Sequence, residues 1–270
     1  MLSYDRCARL YIKGFDMLEE IVRHAGEMML GGPGEVFDKA GPANFVTDMD
    51  LKIQKYIISE LSSLYPECHF FGEEDTASND RKSEGRCFYI DPIDGTTNYI
   101  FGYGHSCVSV GEAVNGEMVS AFVYNPFMRD MYKAAKGKGA FLNGRALRVA
   151  DRGLEEGIVA FGCARYNEDD TDALFDIAKE LYLRSLSIRN GGSAALDLVR
   201  VASGANVAYI ELKLQPYDYA AASLIIEEAG AVITQTNGSP ISLTSPCPIL
   251  AGTPKAASQI QTMWPLGTES

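Results

Sequence analysis

The stretch Cys87 to Gly104, "CFYIDPIDGTTNYIFGYG", decides the fold. An apolar, aromatic run that reads as a buried strand passes straight into Asp91, Asp94, Gly95, Thr96 and Thr97. Unpaired charge at the end of a buried strand is costly, so acids placed there call for a partner. Pro92 stiffens the link and holds Asp91 and Asp94 at a fixed separation, while Gly95 lets the backbone approach a ligand closely. A helix starting after Thr96 would set free N–H groups, an anion site, beside the two carboxylates.

The texture around this segment changes in a regular way. Downstream, "SCVSVGEAV", "EMVSAFVYNP" and "DMYKAAKGKGAFLNGRALRV" are β-branched and aromatic, and "VNGE" and "LNGR" are Asn-Gly hairpin turns, so an antiparallel meander is expected. Upstream, Tyr4 to Met29 places Leu10, Ile12, Met17, Leu18, Ile21 and Val22 at helical spacing before "LGGPGE" ends the pattern. A second helix is predicted in "NFVTDMDLKIQKYIISELSSLYP", with Thr47 as N-cap, Asp50 at the third helical position and Pro66 closing it. "HFFGEED" reads as a short strand ending in carboxylates.

After about Ala150 strands and helices alternate: "GIVAFGC", "DTDALFDIAKELYLR", "SIRNGGSAALDLVRVASG", "VAYIEL", "YDYAAASLIIEEAG" with Gly230 as its cap, and "AVIT". The expected fold is α/β, with an α+β half over residues 1–150 and an α/β half over 151–270, and no linker between them.

Composition narrows the function. With 270 residues and 46% hydrophobic content the chain can bury one large core or two packed halves. Its apolar runs are broken by acids short of the ~20 residues needed to span a bilayer, and its opening lacks a secretory pattern, so a soluble cytoplasmic protein with no membrane partner is expected. The six cysteines lie far apart with no Cys-x-x-Cys pair, which suits reduced thiols. A net charge of -12 argues against nucleic-acid binding but not against an anionic substrate, because a bound cation can reverse the local field.

Three segments place acids where apolar structure gives way to loop or helix: Glu73 and Glu74, Asp91 and Asp94, and Asp218 in "LQPYDYAAAS". Each alone reads as a cap or turn acid, and Glu74 as a surface acid. Together they would repel unless a cation neutralised them, and oxygen ligands favour Mg2+ or Mn2+ over zinc. A hard cation beside a helix N-terminus suits phosphoryl chemistry. His24, His69 and His105 have no zinc spacing and read as packing or surface residues. No cysteine has an arginine six residues on, no histidine follows Ser193 in "GGSAA", and neither a Walker A loop nor GxGxxG is present.

The segments "FVTDMD", "FGEED", "YIDPIDGTTNYIFG", "GKGAFLNGR", "GGSAALDLVRVASG" and "YDYAAASLIIEEAGA" resemble, in order, those of the inositol monophosphatase family. That family sits within the Mg2+-dependent, lithium-sensitive phosphatases. The resemblance implies a layered αβαβα sandwich and two or three Mg2+ ions held by Glu73, Asp91, the Ile93 carbonyl, Asp94 and Asp218, with Mn2+ as an alternative. It implies that Asp50 and Thr96 orient and deprotonate the attacking water, and that Glu73 takes part in catalysis.

Gly95 and Thr96 would offer backbone N–H groups to the phosphate, Gly192, Ser193, Ala194 and Glu211 would contact the leaving alcohol together with Asp94, and Lys39 would help settle an extra metal. Asp50 and Ser193 each also read as helix caps. Tyr217 stands where Trp is common and Ala231 where a second Gly is, and "ELKLQP" inserts Lys213 beside the alcohol pocket.

The implied activity is hydrolysis of inositol monophosphate or a related small polyol phosphate, in a homodimer. Fructose-1,6-bisphosphatase and nucleotide 3′-phosphatase activities are the alternatives, and a non-catalytic metal and sugar-phosphate binding regulator is the alternative of a different class.

Overall fold

The computed structural model describes residues 4–74, 84–163 and 171–263, with side chains from residue 14 onward. The expectations for Cys7, Leu10 and Ile12 concern side chains outside the described residues. The chain begins with α1 (Tyr4–Met29), β1 (Val36–Asp38), β2 (Phe45–Thr47), α2 (Asp48–Leu64), β3 (His69–Gly72), β4 (Arg86–Asp94) and α3 (Thr96–Ile100). The meander β5 (Cys107–Val114), β6 (Glu117–Asn125), β7 (Asp130–Ala135), β8 (Gly139–Leu142) and β9 (Arg145–Ala146) follows. Then come β10 (Ile158–Phe161), α4 (Thr171–Arg184), β11 (Ser187–Arg189), α5 (Ala194–Ala202), β12 (Asn206–Leu214), α6 (Pro216–Glu228), β13 (Val232–Thr234), β14 (Cys247–Gly252) and α7 (Pro254–Met263).

The meander turns as its Asn-Gly pairs dictate. Asn115 and Gly116, and Asn143 and Gly144, all have positive φ, as a two-residue turn matching strand twist requires. Besides the small β1-β2 sheet, a first large sheet runs β3-β4-β5-β6-β7-β8-β9 and a second runs β11-β10-β12-β14-β13. In the second sheet β10 is parallel to β11 and β12, whereas β14 is antiparallel to β12 and β13.

Side-chain alternation builds the layers. On the outer face of the first sheet Phe88, Ile90, Val108, Val110 and Phe122 pack with Leu18, Val22, Ile53 and Ile57 of α1 and α2. On its inner face smaller residues, Cys107, Ala121, Val123 and Ala134, meet α5 and α6. Those helices pack in turn against Tyr209, Ile249 and Ala251 of the second sheet, whose far face is covered by α4 and α7. The result is an αβαβα sandwich with α5 and α6 as its middle layer.

Small inner residues let α6 come close. A Cβ at Gly111 would lie 3.0 Å from the Ala221 nitrogen, so glycine lets helix and strand approach closely here. Burying each Leu, Ile, Val or Phe of these clusters contributes about 1.5–3 kcal/mol, which makes the layers rigid supports for what stands at their seam. No described helix is long and apolar enough to cross a membrane.

Candidate active site

β4 is buried along nearly its whole length, and its end is irregular. It pairs in parallel with β3 only as far as Ile90, and against β5 the partners run from Asp91 with Ser109 to Asp94 with Cys107. Three steps on β4 match two on β5, a bulge that holds Pro92, which has no N–H for a ladder. Residues three apart on a regular strand face opposite ways; the extra residue turns Asp91 and Asp94 to one face, the face toward the middle layer.

Other acids arrive there from elsewhere. Glu73 follows β3 and donates its N–H to the Ile90 carbonyl (3.1 Å). Asp218 sits in the first turn of α6, where Pro216 starts the helix, and its Oδ2 accepts from the Gln215 N–H (2.7 Å). Asp50 lies in the first turn of α2. Its Oδ2 accepts from the Thr47 N–H (2.8 Å) and the Thr47 hydroxyl, while Oδ1 faces the Thr96 hydroxyl at 3.4 Å. The capping acid and the Thr96 partner are therefore the same residue, using different oxygens.

Glu73, Asp91, Asp94 and Asp218 line a cavity of about 340 Å³. Among the expected site residues only Asp50, Lys39 and Lys213 stand outside its lining, and Asp50 reaches it through Thr96. Burial, then the Glu73, Asp94 and Asp218 charges, push Asp91 well above the carboxylate range. Burial and the Asp94 charge do the same to Asp218. Burial raises Glu73 to about 7, against the pull of Lys39. Asp50 rises to about 6 through burial, with the Thr47 bonds opposing.

A divalent cation fits this donor set. Asp91 Oδ1 is buried without a hydrogen-bond partner, the acids are hard oxygen donors, and Asp50, Glu73 and Glu74 can bring one oxygen each within 4.8 Å of one another.

The structure corrects two expectations. Glu74 is not a surface acid: its side chain is 8% exposed and accepts from Lys39 Nζ at 2.5 Å, with Glu73 Oε1 at 2.9 Å from the same nitrogen. Burial opposes the charge of Lys39, but Glu73 and Glu74 more than offset it and hold the ammonium's pKa above its usual value. Lys213 is exposed and does not line the cavity. A register shift between Glu211 and Leu214 places one extra residue on β12 and turns Lys213 outward.

The opposite wall is built from the second sheet and α5. Ser193 caps α5 (Leu196 N–H to Oγ, 3.4 Å) and donates to Asp94 Oδ2 (2.7 Å), so it both ends a helix and faces the site. The Ala194 and Ala195 N–H groups also donate to Asp94, at 3.2 and 2.6 Å. Glu211 accepts from the Tyr209 hydroxyl (2.5 Å); burial raises it to about 7.

Sequence reasoning missed Tyr209, Asn98 and the Asp197 and His105 pair. Asp197 is buried in α5, accepts from the Gly191 N–H (3.0 Å) and lies 3.4 Å from His105 Nε2. Its only signal was an acid in a helix apolar but for Arg200, and Asn98 had none beyond standing two residues after Thr96.

The comparisons agree with this geometry. A model of the "Inositol monophosphatase family" matches residues 13–265. Inositol monophosphatase 1 of Bos taurus is 36% identical over 231 residues, covering 84% of this chain and 82% of that protein. A Neisseria meningitidis protein named "Putative Nus factor SuhB" is 32% identical over 243 residues, covering 88% of this chain and 92% of that protein. The extragenic suppressor protein suhB from Bartonella henselae superposes with a TM-score of 0.85 at 30% identity, covering 93% of this chain and 98% of that one. With a layered fold, an acid-lined seam, a family model over residues 13–265 and relatives matched over 82% or more of their length, the chain belongs to the inositol monophosphatase family.

Proposed function

We propose that the protein is a divalent-metal-dependent phosphomonoesterase, using Mg2+ or Mn2+, that releases phosphate from inositol monophosphate or a related small, uncharged polyol. The observation that carries this reading is the charge of the cavity. Its described lining contains Glu73, Asp91, Asp94, Asp197, Glu211 and Asp218 and no Lys, Arg or His. The acids of the first sheet and α6 ask for cations; Glu211 and Asp197 on the other wall suit hydroxyl groups and disfavour a second phosphate. With Lys213 turned outward, the described residues place no cation on the alcohol side for a bisphosphate or a nucleotide carrying another phosphate.

Glu73, Asp91, the Ile93 carbonyl, Asp94 and Asp218 would hold the metal, which when bound supplies charge neutralisation for the phosphate and acidifies a water. The remaining work falls to the chain. Asp50 Oδ2 is fixed by Thr47, so Oδ1 and the Thr96 hydroxyl are left to orient the attacking water, with Asp50 accepting its proton. Thr96 Oγ1 also donates to the Ile93 carbonyl (3.1 Å), which ties the water-orienting pair to the bulge carrying the acids. Ser193, Ala194 and Ala195 steady Asp94, and Glu211, held by Tyr209, receives a hydroxyl of the leaving polyol.

The test is phosphate release across inositol, sugar and nucleotide phosphates with Mg2+. Preference for inositol or polyol monophosphates supports the reading; preference for a bisphosphate or nucleotide overturns its substrate half. The likeness to a protein named as a Nus factor favours a second reading, a partner-binding role without turnover. No release from any substrate, with divalent metal still bound by calorimetry, would select it.

A further inference from the structure

Asn98 holds the two halves of the site together through its amide. Its Nδ2 donates to the His105 carbonyl and to the Gly191 carbonyl, each at 2.8 Å. One acceptor follows α3; the other precedes α5, 93 residues away in the chain. Gly191 is also held from its other side, its N–H donating to Asp197 Oδ2 at 3.0 Å. Both its peptide groups are thus committed, one to α3 and one to α5.

The packing leaves no slack. A Cβ at Gly191 would lie 2.4 Å from the Asp197 carboxylate, and one at Gly192, where φ is +72°, would lie 3.1 Å from Asn98 Nδ2. A Cβ at Gly95 would lie 3.0 Å from the carbonyls of both Gly192 and His105. The turn fixed this way delivers the Ser193 hydroxyl and the Ala194 and Ala195 N–H groups to Asp94. On the other flank the Ser106 hydroxyl donates to the Gly95 carbonyl at 2.9 Å.

We propose that Asn98 is a positioning residue that sets the gap between the acids at the end of β4 and the start of α5, and with it the placement of the leaving alcohol against the phosphate. The inference rests on the phosphatase reading of the site. The chemistry is specific to the amide: one nitrogen with two donors can satisfy two carbonyls at once. Aspartate has the same shape and only acceptors, and alanine has neither. Losing the donors leaves two carbonyls unpaired at the seam, and the α5 turn is free to move away from Asp94.

Asn98→Asp and Asn98→Ala test this by two measurements on the full chain. In hydrogen exchange, both variants are expected to speed exchange of the Ala194 and Ala195 amides roughly tenfold or more, with the amides of β5 and β6 unchanged. In phosphate release, kcat for inositol 1-phosphate should fall about a hundredfold, the scale of a 1 Å misplacement, with KM changed less than about threefold. Para-nitrophenyl phosphate, whose leaving group needs little placement, should lose much less.

Wild-type exchange and kcat in Asn98→Asp would overturn the proposal, since that variant fills the same space without the donors. Equal losses on both substrates, with faster exchange throughout β5 and β6, would also overturn it by showing a merely structural role. If the wild type releases phosphate from neither substrate, the phosphatase reading fails, and the exchange pattern alone still decides whether Asn98 holds the seam.

Discussion

The two walls of the cavity spend their acids differently. On the wall formed by β4 and α6, Asp91 is buried with an orphaned Oδ1, and burial with the neighbouring acids drives both Asp91 and Asp218 far from their ordinary pKa. On the wall formed by β12 and α5, Glu211 has the Tyr209 hydroxyl and Asp197 Oδ2 has the Gly191 N–H, while Asp197 Oδ1, also without a hydrogen-bond partner, lies 3.4 Å from the His105 ring. On the proposed reading a cation completes the first wall, whose acids raise one another's pKa; the second sets its acids beside a hydroxyl and an imidazole and supplies shape and polarity. A cluster of acids points to a metal when its members face one another and not a positive or donor group.

The largest expected effect comes from neutralising the orphaned acid. Asp91→Asn should lower phosphate release by roughly a thousandfold or more, the loss of several kcal/mol of transition-state charge stabilisation. The same change should raise the stability of the metal-free protein by roughly 1–3 kcal/mol, since it removes a buried group that cannot pair as a carboxylate. Activity falling while the melting temperature rises in chelator is the combination to measure; wild-type turnover would break the contrast between the walls.

Metal itself is the next test. Saturating Mg2+ should stabilise the wild type by mass action, about 2.7 kcal/mol at a hundred times Kd, and chelation should reverse it. Asp91→Asn should lose most of that shift, whereas Glu211→Gln should keep it. Calorimetric unfolding with and without Mg2+ reads both, and equal loss in the two variants would merge the walls into one site.

Glu211 sharpens the contrast through pH. Burial holds its folded pKa near 7 against an ordinary 4.5. Between those values the folded state keeps a proton that the unfolded chain has released, so stability falls as pH rises, by at most about 1.4 kcal/mol per unit, and levels off above the folded pKa. Glu211→Gln removes this slope. It should resemble the wild type near about pH 5 and exceed it in stability by up to roughly 3 kcal/mol near about pH 8, read from urea melts. A constant difference across that range would show that Glu211 is ionised in the fold. The smallest effect belongs to Lys213→Ala, which should change kcat/KM by less than about twofold, as for a residue outside the cavity.

What the sequence showed was local. Thr47 and Asp50 form the predicted capping box because both partners lie within one turn, and the hairpins at Asn115 and Asn143 follow from φ values that few residues accept. The end of β4 was legible because Pro92 and two acids contradict an apolar strand. What escaped was long-range. The strands β1, β2 and β14 and the helix α7 are short or hidden among Ser, Thr and Pro, and nothing nearby marks their partners. Lys213 was misplaced because a bulge reverses strand parity. Glu74 looked exposed because Lys39, its partner, lies 35 residues away. Asn98 lines the cavity, but its amide bonds backbone carbonyls, which every residue has.

If the acids hold a metal as proposed, the contact between Gly111 and Ala221 bears on its size. Asp218 rides on α6, and α6 rests on the first sheet backbone against backbone, with a would-be methyl group at 111 only 3.0 Å from the helix. The height of Asp218 above Asp91 and Asp94 is therefore gauged by interlayer spacing and not by any side chain in the site. Lifting the helix by a few tenths of an ångström is comparable with the difference between Mg–O and Ca–O distances, roughly 0.3–0.5 Å. On the proposed reading Gly111, which no expected ligand adjoins in the chain, acts as a shim that would calibrate the site for ion size.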